Sequence, residues 1–196
     1  MEEFVYDETK YIKPEDLKEY IELMLKYDFM PEYIEDGSEF NRVFQYLVNL
    51  TSKAPDFITV YEYALSMLEL FELDEDLITL QKELEQRKIE ACEKIAKKEK
   101  LFDKTVEWGI HENRPLIRGL FQKANNLWRD GKLKQAYELF SNIYKINEND
   151  NIGARYSVKA TGEGMSFDEF ESRFVIEDER GSYYRTPELW NWYGEE

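Results

Sequence analysis

The segment from Pro115 to Asn151 leaves little room for anything but two amphipathic helices joined by one tight turn. Leu116, Leu120, Ala124 and Leu127 recur at the intervals that gather side chains on one face of a helix. The pattern stops at Asp130-Gly131, where glycine can take the positive φ that closes a helix. A second run, Leu133, Ala136, Phe140, Ile143 and Tyr144, keeps the same spacing until the polar stretch Asn147 to Asn151. Two apolar stripes separated by so short a turn predict an antiparallel helix pair. Such a pair presents a surface rather than a reaction centre.

These residues resemble a tetratricopeptide repeat (TPR), the helix-turn-helix unit of roughly 34 residues that stacks into superhelical scaffolds. Leu120 stands at the large first-helix position, Ala124 at the small packing position and Leu127 at the apolar position after it. Gly131 matches the turn glycine, Leu133 the next apolar residue, Ala136 the small residue of the second helix and Phe140 its aromatic. Ile143 replaces a usually small residue, and Glu148 stands where a helix-ending proline is commonest. The resemblance implies an all-α fold of antiparallel helix-turn-helix repeats stacked as a short right-handed superhelix. It also implies further units on either side, because one repeat cannot bury its own apolar face. Val43, Leu47, Leu50 and Pro55 reproduce the second-helix spacing, and Tyr61, Ala64, Leu65 and Leu68 read as the first helix of a following unit. The turn of that unit, Phe71 to Asp76, has no glycine, so residues 14 to 102 are expected to hold degenerate units. Val43 and Ala136 lie 93 residues apart, which is not a whole number of repeats, so an insertion is expected between them.

The insertion is expected at Asp74 to Phe102, a stretch without Gly or Pro and dense in strong helix formers. It predicts one long helix, with Glu83 and Arg87, Glu90 and Lys94, and Glu93 and Lys97 as supporting pairs. Its apolar stripe is thin, carried after Leu84 by Ala91, Ile95 and Phe102, and sustained heptads are lacking, which argues against a coiled coil. Downstream, Ile152 to Thr161 reads as another first helix ending at Gly162-Glu163-Gly164. Ser166 with Glu169 forms a capping box ahead of Phe167, Phe170 and Phe174. The tail, Glu177 to Glu196, carries Tyr183, Tyr184, Trp190, Trp192 and Tyr193, too many large aromatics to leave in water. It is expected to fold back on the helices as a C-terminal cap within residues 166 to 196 and to reach the basic residues nearby.

Composition sets the outer bounds. A chain of 196 residues suits one domain, residues 1 to 196, with the best repeat at 115 to 151. No run is long and apolar enough to span a bilayer, the beginning Met1-Glu2-Glu3 is acidic, and the single Cys92 fits a reducing compartment, so a cytoplasmic location is expected. The net charge of −16 argues against nonspecific binding to nucleic acid or an anionic membrane. One stretch runs the other way: residues 112 to 160 carry a net charge of +4, from Arg114, Arg118, Lys123, Arg129, Lys132, Lys134, Lys145, Arg155 and Lys159 against five acids.

Catalytic constellations are nearly absent. His111 is the only histidine and sits in the polar turn GIHENRP, so a turn or capping role is expected. One Cys and one His cannot build a zinc site, and no cofactor is expected. The acidic runs Asp74-Glu75-Asp76 and Glu177-Asp178-Glu179 lack calcium-loop spacing and read as solvated helix ends. Recognition remains. In the repeat family the inner surface is lined mainly by first-helix residues, which implies a partner-binding set of Arg118, Phe121, Asn125, Trp128 and Arg129, continued by Arg155 and Lys159. Asn125 coincides with an asparagine that some members use to clamp a peptide carboxylate. Phe121 replaces the accompanying lysine, and Ile152 and Tyr156 stand where further bases would be, so a groove for an acidic or aromatic peptide is the better expectation. The chain thus reads as a non-enzymatic protein-binding adaptor, a monomer or weak homodimer. An enzyme or enzyme subunit using acidic residues on a helical scaffold, and a self-associating structural protein, are the alternatives.

Overall fold

The computed structural model describes residues 1–72, 74–147, 149–178 and 181–194. Among them are nine α-helices and four short strands, so the all-α reading holds. The chain divides into two compact units. One comprises Val5–Lys100 with Ile110–Gly119; the other comprises Met1–Phe4, Leu101–Gly109 and Leu120–Glu196.

The first unit contains α1 (Pro14–Leu25), α2 (Gly37–Lys53), α3 (Ile58–Leu68) and α4 (Glu75–Lys98). Each longer helix starts at a local signal. Asp36 caps α2 by accepting from Glu39 N at 2.8 Å, and Asp74 caps α4 by accepting from Leu77 N at 2.9 Å. The expected stripe Val43, Leu47 and Leu50 is buried on α2, joined by Phe44, and α2 ends two residues before Pro55. In α3, Ile58, Val60, Tyr61, Ala64, Met67 and Leu68 are all buried, as befits a helix packed by α2 on one side and α4 on the other. Tyr6 ties the unit together. Its backbone N donates to Asn113 Oδ1 at 2.8 Å, while its hydroxyl donates to Asp56 O at 2.8 Å and accepts from Ile58 N at 3.0 Å. His111 opens the exposed helical turn that delivers the buried Asn113 to this contact, in keeping with its expected turn role.

The long helix α4 is shorter at its end than expected, stopping at Lys98, and the expected pair of Glu83 and Arg87 forms at 3.7 Å. Lys94 reaches instead to Asp56 at 2.5 Å, and Glu90 accepts from Gln86. A tertiary carboxylate within reach competes successfully against a neighbour on the same exposed face, where a pair contributes only a few tenths of a kcal/mol. Cys92 on α4 is fully buried, and burial pushes its thiol up to about 12, leaving it a neutral packing group. It faces Gly119 of α5 (Arg114–Arg129) so closely that a Cβ added to Gly119 would collide with the Cys92 sulfur. Gly→Ala in an open helix stabilises by about 1 kcal/mol. Here the collision should reverse the sign, so Gly119→Ala is expected to destabilise by about 1–3 kcal/mol in urea melts. Adding Cys92→Ala should recover most of the loss; an unrescued double variant would place the strain elsewhere.

The second unit holds the latter part of α5, then α6 (Leu133–Ile146), α7 (Ala154–Gly162), α8 (Phe167–Phe174) and α9 (Thr186–Tyr193). The turn between α5 and α6 forms as the sequence predicts. Gly131 has φ +73°, its N–H donates to Trp128 O at 2.9 Å, and Lys132 N–H donates to Leu127 O at 2.9 Å. That is a Schellman closure, and Gly164, with φ +80°, repeats it at the end of α7 through Met165 N to Ala160 O at 2.9 Å. Phe140 of α6 packs between Phe121 and Trp128 of α5, at 5.2 and 5.9 Å between ring centres. Ala124 and Ala136 are both fully buried. Replacing either with Leu should therefore overpack the hairpin and cost about 1–3 kcal/mol, measured by urea unfolding. Glu148, at the expected proline position, lies outside the described residues.

Two features of this unit differ from the sequence reading. Glu2–Glu3 (β1) pairs in parallel with Lys104–Thr105 (β2), and Val175–Asp178 (β3) pairs antiparallel with Gly181–Tyr184 (β4). The acidic run beginning at Glu177 is therefore strand rather than the expected helix end, and Glu179 lies outside the described residues. At Asp74 to Asp76 the helix-end expectation holds, since all three are exposed at the start of α4. The capping serine is also as expected: Ser166 accepts from Glu169 N at 3.2 Å and starts α8.

Candidate functional site

The region where charged and aromatic groups converge in the second unit is built on α7. Asp150 prepares its start. The buried carboxylate accepts from Ala154 N at 2.7 Å and Arg155 N at 3.1 Å, placing negative charge at the positive end of the helix dipole. The same carboxylate holds the Arg155 guanidinium at 2.9 Å, and Arg155 Nη2 donates to Tyr156 Oη at 2.7 Å. Arg155 is thereby fixed with its guanidinium 4.2 Å from the ring centre of Tyr156 and 5.9 Å from that of Tyr193 on α9.

One turn further along α7, Lys159 meets the last turn of α9. Its ammonium donates to Trp192 O and, at 3.4 Å, to Tyr193 O, and lies 4.8 Å from the Trp192 ring centre. Those carbonyls close a helix whose last C=O groups have no intrahelical partner and carry its negative dipole end, so a cation there is favourable. Apolar packing completes the junction. Trp192 packs at a tilt against Phe174 at 4.9 Å, Tyr193 meets Tyr156 edge-on at 5.2 Å, and Leu189 is buried. The tail thus folds back on α7 and α8 and reaches two of the basic residues, Arg155 and Lys159. Trp190 remains 47% exposed, and the side chains of Tyr183 and Tyr184 lie outside the described residues.

The other expected groove residues are placed differently. Trp128 belongs to the core: only 2% of it is exposed, its ring contacts Phe140, Phe167 and Phe170, and Nε1 donates to Met165 O at 2.8 Å. An indole at this helix position finds an aromatic nest and a carbonyl acceptor, and solvent offers it neither. Arg129 is exposed and covers the Phe167 ring at 4.3 Å. Phe121 and Asn125 are half-buried. Arg118 lies in the first unit, where its guanidinium is 2.7 Å from Glu62. Of the seven expected residues, Arg155 and Lys159 are brought together at α9, and Trp128 and Arg129 share Phe167. Tyr156 and Asp150 were not anticipated: an acid four residues ahead of a helix start carries no distinctive local signal.

No group of three or more His, Cys, Asp or Glu side chains is placed to hold a metal ion among the described residues, and no helix among them is long and apolar enough to cross a membrane. Compared with known protein families, curated proteins and solved structures, the chain matches none.

Proposed function

We propose that this chain is a non-enzymatic, TPR-like helical adaptor of the cytoplasm that binds an acidic or aromatic peptide segment of a partner protein. In this reading the α5–α6 hairpin is the best-formed repeat, α7 is the first helix of the next, and Arg155 and Lys159 are the principal contacts, flanked by Phe121, Asn125 and Arg129. The observation that carries it is the grip of α7 on α9. Arg155 and Lys159 hold two aromatic rings and a pair of helix-end carbonyls, the chemistry a partner segment of this kind would offer. The C-terminal segment of the chain then acts as an internal stand-in for the partner.

The test loosens α9 without removing it. A full-length Trp192→Ala, Tyr193→Ala variant should bind a synthetic peptide of residues 185–196, whereas the unmodified chain, with the face occupied, should not. Binding should weaken with salt, because exposed charges are screened within about 10 Å at 0.1 M ionic strength. Lys159→Glu in the same background should weaken it by roughly tenfold, the range of a charge-assisted hydrogen bond. Equal binding by both proteins, or by neither, would count against an intramolecular ligand at this face.

A further inference from the structure

A second site lies in the first unit and has no part in the proposed peptide recognition. The segment before α1, the outer edge of α1 and part of α3 enclose a groove of about 630 Å³, within the size range of small-molecule sites. One wall is aromatic: Tyr20 lies 6.1 Å and Phe29 5.8 Å from the ring of Tyr63. Leu17 and Ile21 of α1 form the apolar rim, and both also line an adjoining cleft of about 460 Å³. The charged groups lining the main groove are all acids, Asp7, Glu8 and Glu112. Asp7 is already committed, accepting from Thr9 and pairing with Lys10; the other two acids are Glu8, which has the Thr59 hydroxyl beside it, and Glu112.

Tyr20 supplies an independent observation. It is 2% exposed, yet its hydroxyl has no hydrogen-bond partner among the described residues. A buried polar group without a partner costs about 1–3 kcal/mol, and most such groups in folded proteins find one. The hydroxyl is also within electrostatic reach of the Glu8 carboxylate and Tyr63. Burial pushes the Glu8 carboxyl above its ordinary range against an opposing hydrogen bond from Thr59, and the charges of Glu112 and Asp7 add to the rise. A positive group entering the groove would relieve that repulsion, donate to Glu8 and Tyr20, and lie against aromatic faces that attract cations.

We infer that this groove binds a small organic amine in its ammonium form, with the cationic head between Glu8, Glu112 and Tyr20 and an apolar or aryl body against Phe29, Tyr63 and the Leu17–Ile21 rim. A neutral or anionic ligand of the same shape would leave the carboxylates uncompensated.

The experiment titrates the full-length protein with 2-phenylethylamine, the neutral isostere 2-phenylethanol and the anionic 3-phenylpropanoate, followed by calorimetry and by NMR shifts of the Tyr20, Tyr63 and Ile21 side chains. The amine should bind and perturb those resonances, the alcohol should bind at least roughly tenfold more weakly, and the acid should not bind. Glu8→Gln should weaken the amine by roughly tenfold and leave the alcohol unchanged. Should that variant misfold by circular dichroism, Ile21→Lys, a fixed cation at an exposed rim position, replaces it and should abolish amine binding. Equal affinity for amine and alcohol, amine binding insensitive to both variants, or no binding of the amine would overturn the inference. So would tighter binding of Nα-acetyl-lysine methylamide than of phenylethylamine, which would point to a peptide lysine instead.

Discussion

Replacing Trp128 with alanine is expected to destabilise the second unit by about 3–5 kcal/mol, the range for removing a large aromatic from a core. The indole is the hub of that core. It meets Phe140 from α6 and both Phe167 and Phe170 from α8, at 5.9, 5.4 and 5.1 Å between ring centres, so one side chain joins three helices. It also satisfies Met165 O, the carbonyl that follows the Schellman turn at Gly164, through the 2.8 Å bond from Nε1. Trp128→Phe keeps much of the ring packing but orphans that carbonyl, and should lose about 1–3 kcal/mol. Urea melts monitored by far-ultraviolet circular dichroism separate the two variants. A groove-lining tryptophan would give a different result, with partner binding lost and the melting midpoint unchanged; that outcome for Trp128→Ala would contradict its place in the core.

The contrast shows what the sequence made legible. Helix existence was written locally. The stripes of α2, α3 and α5–α6, the caps at Ser166 and Gly131 and the helix ends at Asp74 and Gly164 each occupy a few consecutive residues and need no tertiary information. The direction in which an amphipathic residue faces was not. The resemblance to the repeat family implies a groove-lining place for Trp128, whereas in the structure Phe167 and Phe170 from α8 pack against its ring and make it core. The tail was half legible: its aromatics signalled burial, but the polar, charged run around Glu177 concealed the β3–β4 pairing, which backbone hydrogen bonds rather than an apolar pattern define. Partners distant in sequence were invisible. Tyr6 bonds to Asn113 across 107 positions, and the groove of Glu8, Tyr20 and Glu112 draws on segments that share no motif.

Glu62 shows the same long-range logic with a larger energetic consequence. Its carboxylate lies between Lys88 and Arg118, the latter at 2.7 Å, with only 20% of the Glu62 side chain and 13% of the Lys88 side chain exposed. Burial alone would raise its pKa, but Lys88 and then Arg118 outweigh the desolvation and hold the carboxyl below its ordinary value of 4.5. A carboxylate with a depressed folded pKa contributes stability that is complete above its unfolded pKa. That contribution is lost as pH falls through the lower folded value. Glu62→Gln is therefore expected to destabilise the first unit by about 3 kcal/mol near neutral pH, because it leaves the Lys88 ammonium buried without its counter-charge. The deficit should shrink in acid, where the parent protein also loses the charge, so urea midpoints of the two proteins should converge on acidification. Arg118 can be left to water, since its side chain is 48% exposed. The penalty accordingly belongs to Lys88, and adding Lys88→Met to Glu62→Gln should recover most of the lost stability. A double variant no more stable than Glu62→Gln would instead assign the loss to the packing of the carboxylate itself.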